Sequence, residues 1–228
     1  MKKANVFLAL DVDSKKEAFA LVEKWSPYIV GFKVGPRLGF LMNNQDWKSL
    51  AEKGQVFLDY KFFDIPTTVE SSVKRAFDLG VNFCTVHSLN GEKCLRNLKQ
   101  LETTNQRILC VTLLTSFNKN SNPLPLSENI EPQVLVSDLT KVVFNSELSG
   151  LVCSALEAPL VRAKNKKALL VCPGIRFIGD SSDDQNRVID PVAAFNAGAD
   201  YLVMGRSLIR AQSAESFDNA VKVFQECS

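Results

Sequence analysis

The chain has a single histidine, His87. A histidine-rich metal centre is therefore excluded, and a Ser-His-Asp triad would depend on that one residue. The six cysteines (Cys84, Cys94, Cys110, Cys153, Cys172 and Cys227) form no C-x-x-C pair, so the common zinc and dithiol signatures are missing. Cys84, Cys110, Cys153 and Cys172 lie in apolar runs, where cysteine acts as a small hydrophobe, and they read as structural thiols. Neither sign of charge is in excess: 27 Lys and Arg stand against 25 Asp and Glu, for a net charge of +2. That balance gives no electrostatic footprint for nucleic acid or an anionic membrane surface. No stretch approaches the ~18 apolar residues of a membrane span. The first residues carry Lys2, Lys3 and an apolar run, but Asp11 and Asp13 break it short of a signal-peptide core. The expected location is the cytoplasm. There is no low-complexity linker and no strong internal repeat.

What is present is a core-forming chain of 228 residues, 46% hydrophobic and 23% charged, a size that suits a single domain over 1–228. Eight short runs rich in β-branched and aromatic residues punctuate it: 5–12, 28–35, 55–62, 81–88, 107–115, 150–155, 168–175 and 201–207. Amphipathic, helix-like segments lie between them, among them 14–25, 66–80, 91–102, 131–149 and 214–227. Strand and helix in alternation imply parallel strands joined by right-handed crossovers. Eight near-continuous apolar strands predict closure into a (β/α)8 TIM barrel rather than an open sheet. Two polar segments, 116–132 and 176–187, follow the fifth and seventh runs, on the face where barrels place their sites.

Polar residues recur at one end of these runs. Asp11 ends the first, Lys33 sits late in the second, and Asp59 and Lys61 late in the third. Thr115 and Ser116 end the fifth, Arg176 follows the seventh, and Gly205-Arg206 end the eighth. Charges avoid strands buried on both faces, so these residues predict a polar mouth over an apolar barrel. Asp59 and Lys61 are two apart and share a strand face; facing inward, they meet. With Asp64 just beyond the strand, they are expected to form a buried cluster of three charges, which is costly unless the charges pair. Spacing alone leaves two readings open, a structural ion-pair network and a chemical site. His87 reads as a hydrogen-bonded supporting residue, and the acidic run 180–184 as a solvated loop.

The segment "LDYKFFDIP" resembles the signature of the orotidine 5′-phosphate decarboxylase family in its Asp59-x-Lys61-x-x-Asp64-Ile65-Pro66 pattern. "LALDV" with Asp11, "GFKVG" with Lys33, "VTLLTS" with Thr115, "PGIR" with Arg176, "DDQNRV" with Gln185 and "VMGRSLIRA" with Gly205 and Arg206 resemble further family elements, in the family's order. Phe63 and Thr67 depart from the pattern, standing where many members have His and Asn; the charged trio is intact. The resemblance implies decarboxylation of orotidine 5′-monophosphate to UMP without metal or organic cofactor. It implies Lys61, Asp59, Asp64 and Lys33 as the catalytic set, and Asp11 on the ribose hydroxyls. It also implies phosphate contacts from the loops carrying Arg176, Gln185, Gly205 and Arg206, and a homodimer in which Asp64, Ile65 and Thr68 reach into the neighbour's site. A lysine buried alone tends to lose its proton; two adjacent carboxylates would keep Lys61 charged. Two alternatives stay open. One is a sugar-phosphate decarboxylase of the same superfamily, such as 3-keto-gulonate 6-phosphate decarboxylase, which shares the Asp-x-Lys-x-x-Asp motif but needs Mg2+. The other is a non-catalytic barrel that binds a phosphorylated ligand.

Overall fold

Eight strands pair in chain order, all parallel, and the last returns to the first. They are β1 (Ala4–Ala9), β2 (Ile29–Val34), β3 (Gln55–Phe62), β4 (Phe83–His87), β5 (Arg107–Val111), β6 (Gly150–Val152), β7 (Leu169–Cys172) and β8 (Tyr201–Met204). The computed structural model describes residues 2–114, 131–177, 189–211 and 213–226. Around the barrel run α1 (Lys15–Trp25), α2 (Pro36–Gly39), α3 (Asn44–Lys53), α4 (Pro66–Asp78), α5 (Gly91–Leu98), α6 (Pro132–Asn145), α7 (Ala158–Lys164), α8 (Pro191–Asn196), α9 (Arg206–Arg210) and α10 (Ala214–Glu226). The eight-stranded parallel barrel expected from the sequence is therefore the fold.

Period-two alternation sorts each strand into two layers. Val6, Leu8, Val56, Leu58, Cys84, Ile108, Leu170 and Leu202 face outward and pack under the helices. Phe7, Ala9, Phe57, Phe83, Leu109, Val171 and Val203 point inward. Phe7 sits at the centre of this inner layer, edge-on to Phe57 and Phe83 with ring centroids 5.5 and 5.3 Å away, and beside Tyr201. Gly31 makes room for it. A Cβ at position 31 would lie 2.8 Å from Phe7 Cε1 and 2.1 Å from the Gln55 carbonyl oxygen. The aromatic plug fills the lower barrel, so the space open to a ligand lies above it, at the C-terminal ends of the strands.

The later strands end earlier than the sequence runs predict. β5 stops at Val111, short of 115; β7 stops at Cys172, and β8 at Met204. The reasons are local. Pro173 has no N–H for the ladder and Gly174 turns with φ +81°, so β7 cannot continue. Gly205 is the residue before α9, so Arg206 opens a helix instead of closing a strand. The five cysteines among the described residues are free and buried. Thr115, Ser116 and Gln185, with most of both polar segments, lie outside the described residues, as does Cys227.

Candidate active site

A cavity of about 570 Å3 opens over the aromatic plug. Ala9 and Phe57 line it from below, and Asp11, Lys33, Asp59, Lys61, Arg176, Gly205 and Arg206 surround it. Seven residues singled out by their places at the strand ends thus converge: Asp11, Lys33, Asp59, Lys61 and Gly205 share inward parity with the core beneath them, while Arg176 comes from the turn after β7 and Arg206 from the start of α9. Asp59 is the next inward position above Phe57, Lys33 the next above Gly31, and Asp11 the next above Ala9.

Their charges alternate. Lys33 Nζ donates to Asp11 Oδ1 at 3.3 Å and pairs with Asp59 Oδ2 at 3.4 Å. Lys61 Nζ donates to Asp59 Oδ1 at 2.8 Å. The string therefore runs Asp11, Lys33, Asp59, Lys61, with side-chain exposures of 52, 10, 14 and 36%. Burial by itself would drive Lys33 toward its neutral form, but the Asp59 and Asp11 carboxylates outweigh it and hold the ammonium above its usual range. Burial likewise works against the Asp59 carboxylate, and there Lys33, Lys61 and a hydrogen bond from Thr85 prevail and hold its carboxyl below the ordinary value.

Two expectations change here. The deeply buried lysine is Lys33, while Lys61, next to the last residue of β3, stands partly open to the cavity. The expected buried trio is not found: Asp59 is largely covered, Lys61 is half-buried and Asp64 is exposed. Its Oδ1 accepts from the Ile65 N–H at 2.6 Å, and its own N–H donates to Asn90 Oδ1 at 3.4 Å. Pro66 starts α4 immediately afterwards, which carries Asp64, Ile65 and Thr68 off the barrel axis and into solvent. Ile65 is 65% exposed and Phe63 62%.

The end of β3 is irregular. Lys61 has φ +49°, rare for a residue with a side chain, and the β3–β4 register shifts between Leu58 and Phe62. Side chains from β4 and the turn after it close the gap. Thr85 Oγ1 accepts from the Lys61 N–H at 2.9 Å and lies 3.1 Å from Asp59 Oδ1. Asn90 Nδ2 donates to the Phe62 carbonyl at 2.8 Å and to the His87 carbonyl at 2.9 Å. His87 is a supporting residue: its Nδ1 accepts from the Leu89 N–H at 3.2 Å, and its ring packs near Phe63.

Across the mouth, Arg176 is buried and its Nη1 donates to the Ile175 carbonyl at 2.9 Å. Arg206, partly buried at the start of α9, faces the same cavity. Arg37, which the sequence did not single out, joins the wall: it forks onto Asp13 and donates to the Asp11 carbonyl at 3.2 Å. Its spacing two residues after Gly35 carried no periodic signal; only the fold brings it against the loop after β1. Among the described residues, no three His, Cys, Asp or Glu side chains are grouped to hold a metal ion.

A closed parallel barrel whose charged cluster lies over a cavity at the strand C-termini is organised as a (β/α)8 enzyme. A family profile described as "Orotidine 5'-phosphate decarboxylase / HUMPS family" matches residues 4–217. An orotidine 5′-phosphate decarboxylase of Aliivibrio fischeri (strain MJ11) is 35% identical over 229 residues, spanning 98% of this chain and 97% of its own. One from Vibrio parahaemolyticus serotype O3:K6 is 37% identical over 213 residues, 91% of each chain. The crystal structure of orotidine 5′-phosphate decarboxylase from Lactobacillus acidophilus matches with a TM-score of 0.79 at 26% identity, covering 97% of this chain and 99% of that one. The chain belongs to the orotidine 5′-phosphate decarboxylase / HUMPS family.

Asp59→Asn is expected to destabilise the chain by about 3 kcal/mol at neutral pH, since it leaves the buried Lys33 with the half-exposed Asp11. The Asp59 carboxyl titrates lower when folded than unfolded, so its contribution is present above about pH 4 and is lost as pH falls through the folded-state value. Urea midpoints of wild type and variant should therefore converge in acid. A constant difference down to about pH 2 would mean that Asp59 acts by packing and not by charge.

Proposed function

We propose that this chain is an orotidine 5′-phosphate decarboxylase, converting orotidine 5′-monophosphate to UMP and CO2 in pyrimidine synthesis without metal or organic cofactor. The observation that carries this reading is the Lys61 ammonium, held at 2.8 Å by Asp59 and open to a cavity that arginines border on the opposite side. Loss of CO2 breaks the C6–carboxylate bond and leaves its electron pair on C6, where the pyrimidine ring offers no electron sink. Lys61 supplies what is missing: a positive charge beside the developing negative charge, then a proton to form the C6–H bond of UMP. Solvent returns the proton. Attraction between Lys61 and C6 grows as CO2 departs, so it favours the transition state over the bound substrate.

The remaining residues bind and orient. Asp59 fixes the direction of Lys61, and Lys33 keeps Asp59 ionised while bridging to Asp11, which takes the ribose hydroxyls. Thr115, which follows β5 in the sequence, is assigned to the same substrate. Arg176, Gln185, Gly205 and Arg206 hold the phosphate; arginine matches its oxygens in bidentate fashion, and glycine lets the backbone come close. Phosphate binding far from C6 draws the pyrimidine down toward Lys61, spending remote binding energy on orientation.

The reading includes a cytoplasmic homodimer, with Asp64, Ile65 and Thr68 of each protomer entering the neighbour's site. It is supported by the exposure of those three residues and of Phe63 at the rim of the mouth. Asp64 of the partner would be the second carboxylate beside Lys61. No helix among the described residues is long and apolar enough to cross a membrane, and a near-neutral net charge gives no reason to expect nucleic acid as a partner.

Purified protein should consume orotidine 5′-monophosphate, read as loss of its ultraviolet absorbance, at the same rate with and without EDTA. Activity abolished by EDTA and restored by Mg2+ would point to the sugar-phosphate branch of the family. Lys61→Ala should fold and retain less than about 1% of wild-type kcat/KM, because both charge stabilisation and the proton are lost. Retention of a tenth of the activity or more would remove Lys61 from the proton-donor role.

Mixing inactive Lys61→Ala with inactive Asp64→Ala under exchange conditions should restore activity, since a heterodimer then holds one site with both lesions and one intact site. Demonstrated exchange without recovery would rule out the shared site.

Arg206→Ala should lower kcat/KM for the phosphorylated substrate about tenfold or more, the effect of one lost charge-assisted hydrogen bond. Turnover of orotidine, which lacks the phosphate, should barely change. An equal loss on both substrates would make Arg206 a support of the barrel wall.

A further inference from the structure

The break in the β3–β4 ladder places one hydroxyl where two demands meet. Lys61 adopts φ +49° beside the register shift, and its N–H is given to a side chain of β4. Thr85, at 0% exposure, is the inward residue of β4 between Phe83 and His87. Its Oγ1 accepts the Lys61 N–H at 2.9 Å. A threonine hydroxyl also has one proton to give. Two acceptors lie in range, Asp59 Oδ1 at 3.1 Å and the Leu58 carbonyl at 3.4 Å. The ionised oxygen is both nearer and the stronger acceptor. It is the same oxygen that receives Lys61 Nζ at 2.8 Å.

We infer that Thr85 is a positioning residue of this site: one hydroxyl fixes both the backbone of Lys61 and the carboxylate that aims its ammonium. The inference rests on the decarboxylase reading for its kinetic consequences, but its geometric content does not. A valine at position 85 would fill the same space and take away both hydrogen bonds. Lys61 would lose the contact that holds its left-handed backbone, and the Asp59 oxygen would keep Lys61 as its partner without the fixed donor beneath it. The ammonium would then sample directions away from C6. That costs the chemical step more than it costs binding, since Thr85 does not border the cavity where the ribose and phosphate would sit.

The expected result for Thr85→Val is a kcat lowered about tenfold or more with KM changed by less than about threefold, the size of one lost hydrogen bond to a charged group. Thr85→Ser, which keeps the hydroxyl, should recover to within about threefold of wild type. Because the Thr85 proton helps to keep Asp59 ionised, the acid limb of kcat/KM should move to higher pH in Thr85→Val and stay in place in Thr85→Ser. An unchanged kcat in Thr85→Val, or a loss shared by Thr85→Ser with no movement of the acid limb, overturns the proposal. Should Thr85→Val not fold, Thr85→Cys, with a weaker donor and acceptor, is measured in the same way and judged by the same outcomes.

A readout independent of turnover separates this inference from the functional reading. In protein labelled with 13C at aspartate carboxyls, with the Asp59 signal assigned by its absence in Asp59→Asn, Asp59 should titrate at higher pH in Thr85→Val than in wild type. Identical titration curves overturn the role of Thr85 whether or not orotidine 5′-monophosphate proves to be the substrate. Absence of turnover in wild type alongside a shifted Asp59 titration would overturn the decarboxylase reading and leave the placement of Thr85 standing.

Discussion

The Asp59 carboxylate divides itself between two lysines, and the site depends on that division. One oxygen faces Lys33 and the other Lys61. Without it, Lys33 would be a buried cation and Lys61 a long, freely turning side chain on the rim. Arrangements of this kind do not make a protein more stable than a well-packed apolar cluster would, because each ion gives up its hydration to enter the barrel. The chain therefore maintains four alternating charges at some cost to stability. Such a cost is expected where geometry at a reacting atom matters more than the folding free energy. The same logic explains the tolerance of φ +49° at Lys61: a strained backbone persists where its surroundings over-determine it, and Thr85 and Asn90 are those surroundings.

The barrel divides the work by height. Phe7, Phe57, Phe83 and Tyr201 close the lower interior with edge-on aromatic contacts, and Gly31 gives up its side chain so that Phe7 can reach the axis. One inward step above Gly31 and Phe57 stand Lys33 and Asp59, and Asp11 follows Ala9 just past the end of β1. A rigid apolar base under a ring of charges keeps the lower dielectric on one side of the ion pairs and solvent on the other, which sharpens their mutual attraction. The two arginines stand on the far wall of the cavity, so a ligand with an anionic group at one end would span from them to Lys61.

Much of this was legible in the sequence, for a definite reason. Parity is conserved along a strand, so Phe57, Asp59 and Lys61 had to share a face, and β3 was found at the predicted residues 55–62. The apolar runs gave the strand count, and strand count with helical connections gave the closed barrel. Parity gives out where the strand does. Asp64 lies past Phe62, where Pro66 redirects the chain, and its exposure could not follow from spacing. The ranking of Lys33 as the buried lysine depends on its being flanked by β1 and β3 on both sides, a property of the closed sheet and not of any one strand. Thr85 offered a weak clue, a single polar residue at an inward position of the otherwise apolar run 83–86. Its partners, however, sit on another strand and across a register shift. Arg37 offered none, since its contacts with Asp13 and Asp11 join α2 to the loop after β1, more than twenty residues earlier.

The buried cysteines have a consequence for handling the molecule. Burial pushes the Cys84, Cys94 and Cys110 thiols upward from their usual range, and Cys153 is raised beside Cys172. The thiolate is the form that attacks alkylating reagents. Cys84, Cys94, Cys110 and Cys153 are thus shielded twice over, by lack of access and by a raised pKa, and Cys172 by lack of access, for as long as the barrel is closed. The five buried cysteines lie on β4, α5, β5, β7 and just past β6, so alkylation at each one marks the opening of a different part of the wall. The protein carries its own set of chemical reporters, distributed around the barrel, from which the order in which its staves come apart can be recorded by mass spectrometry.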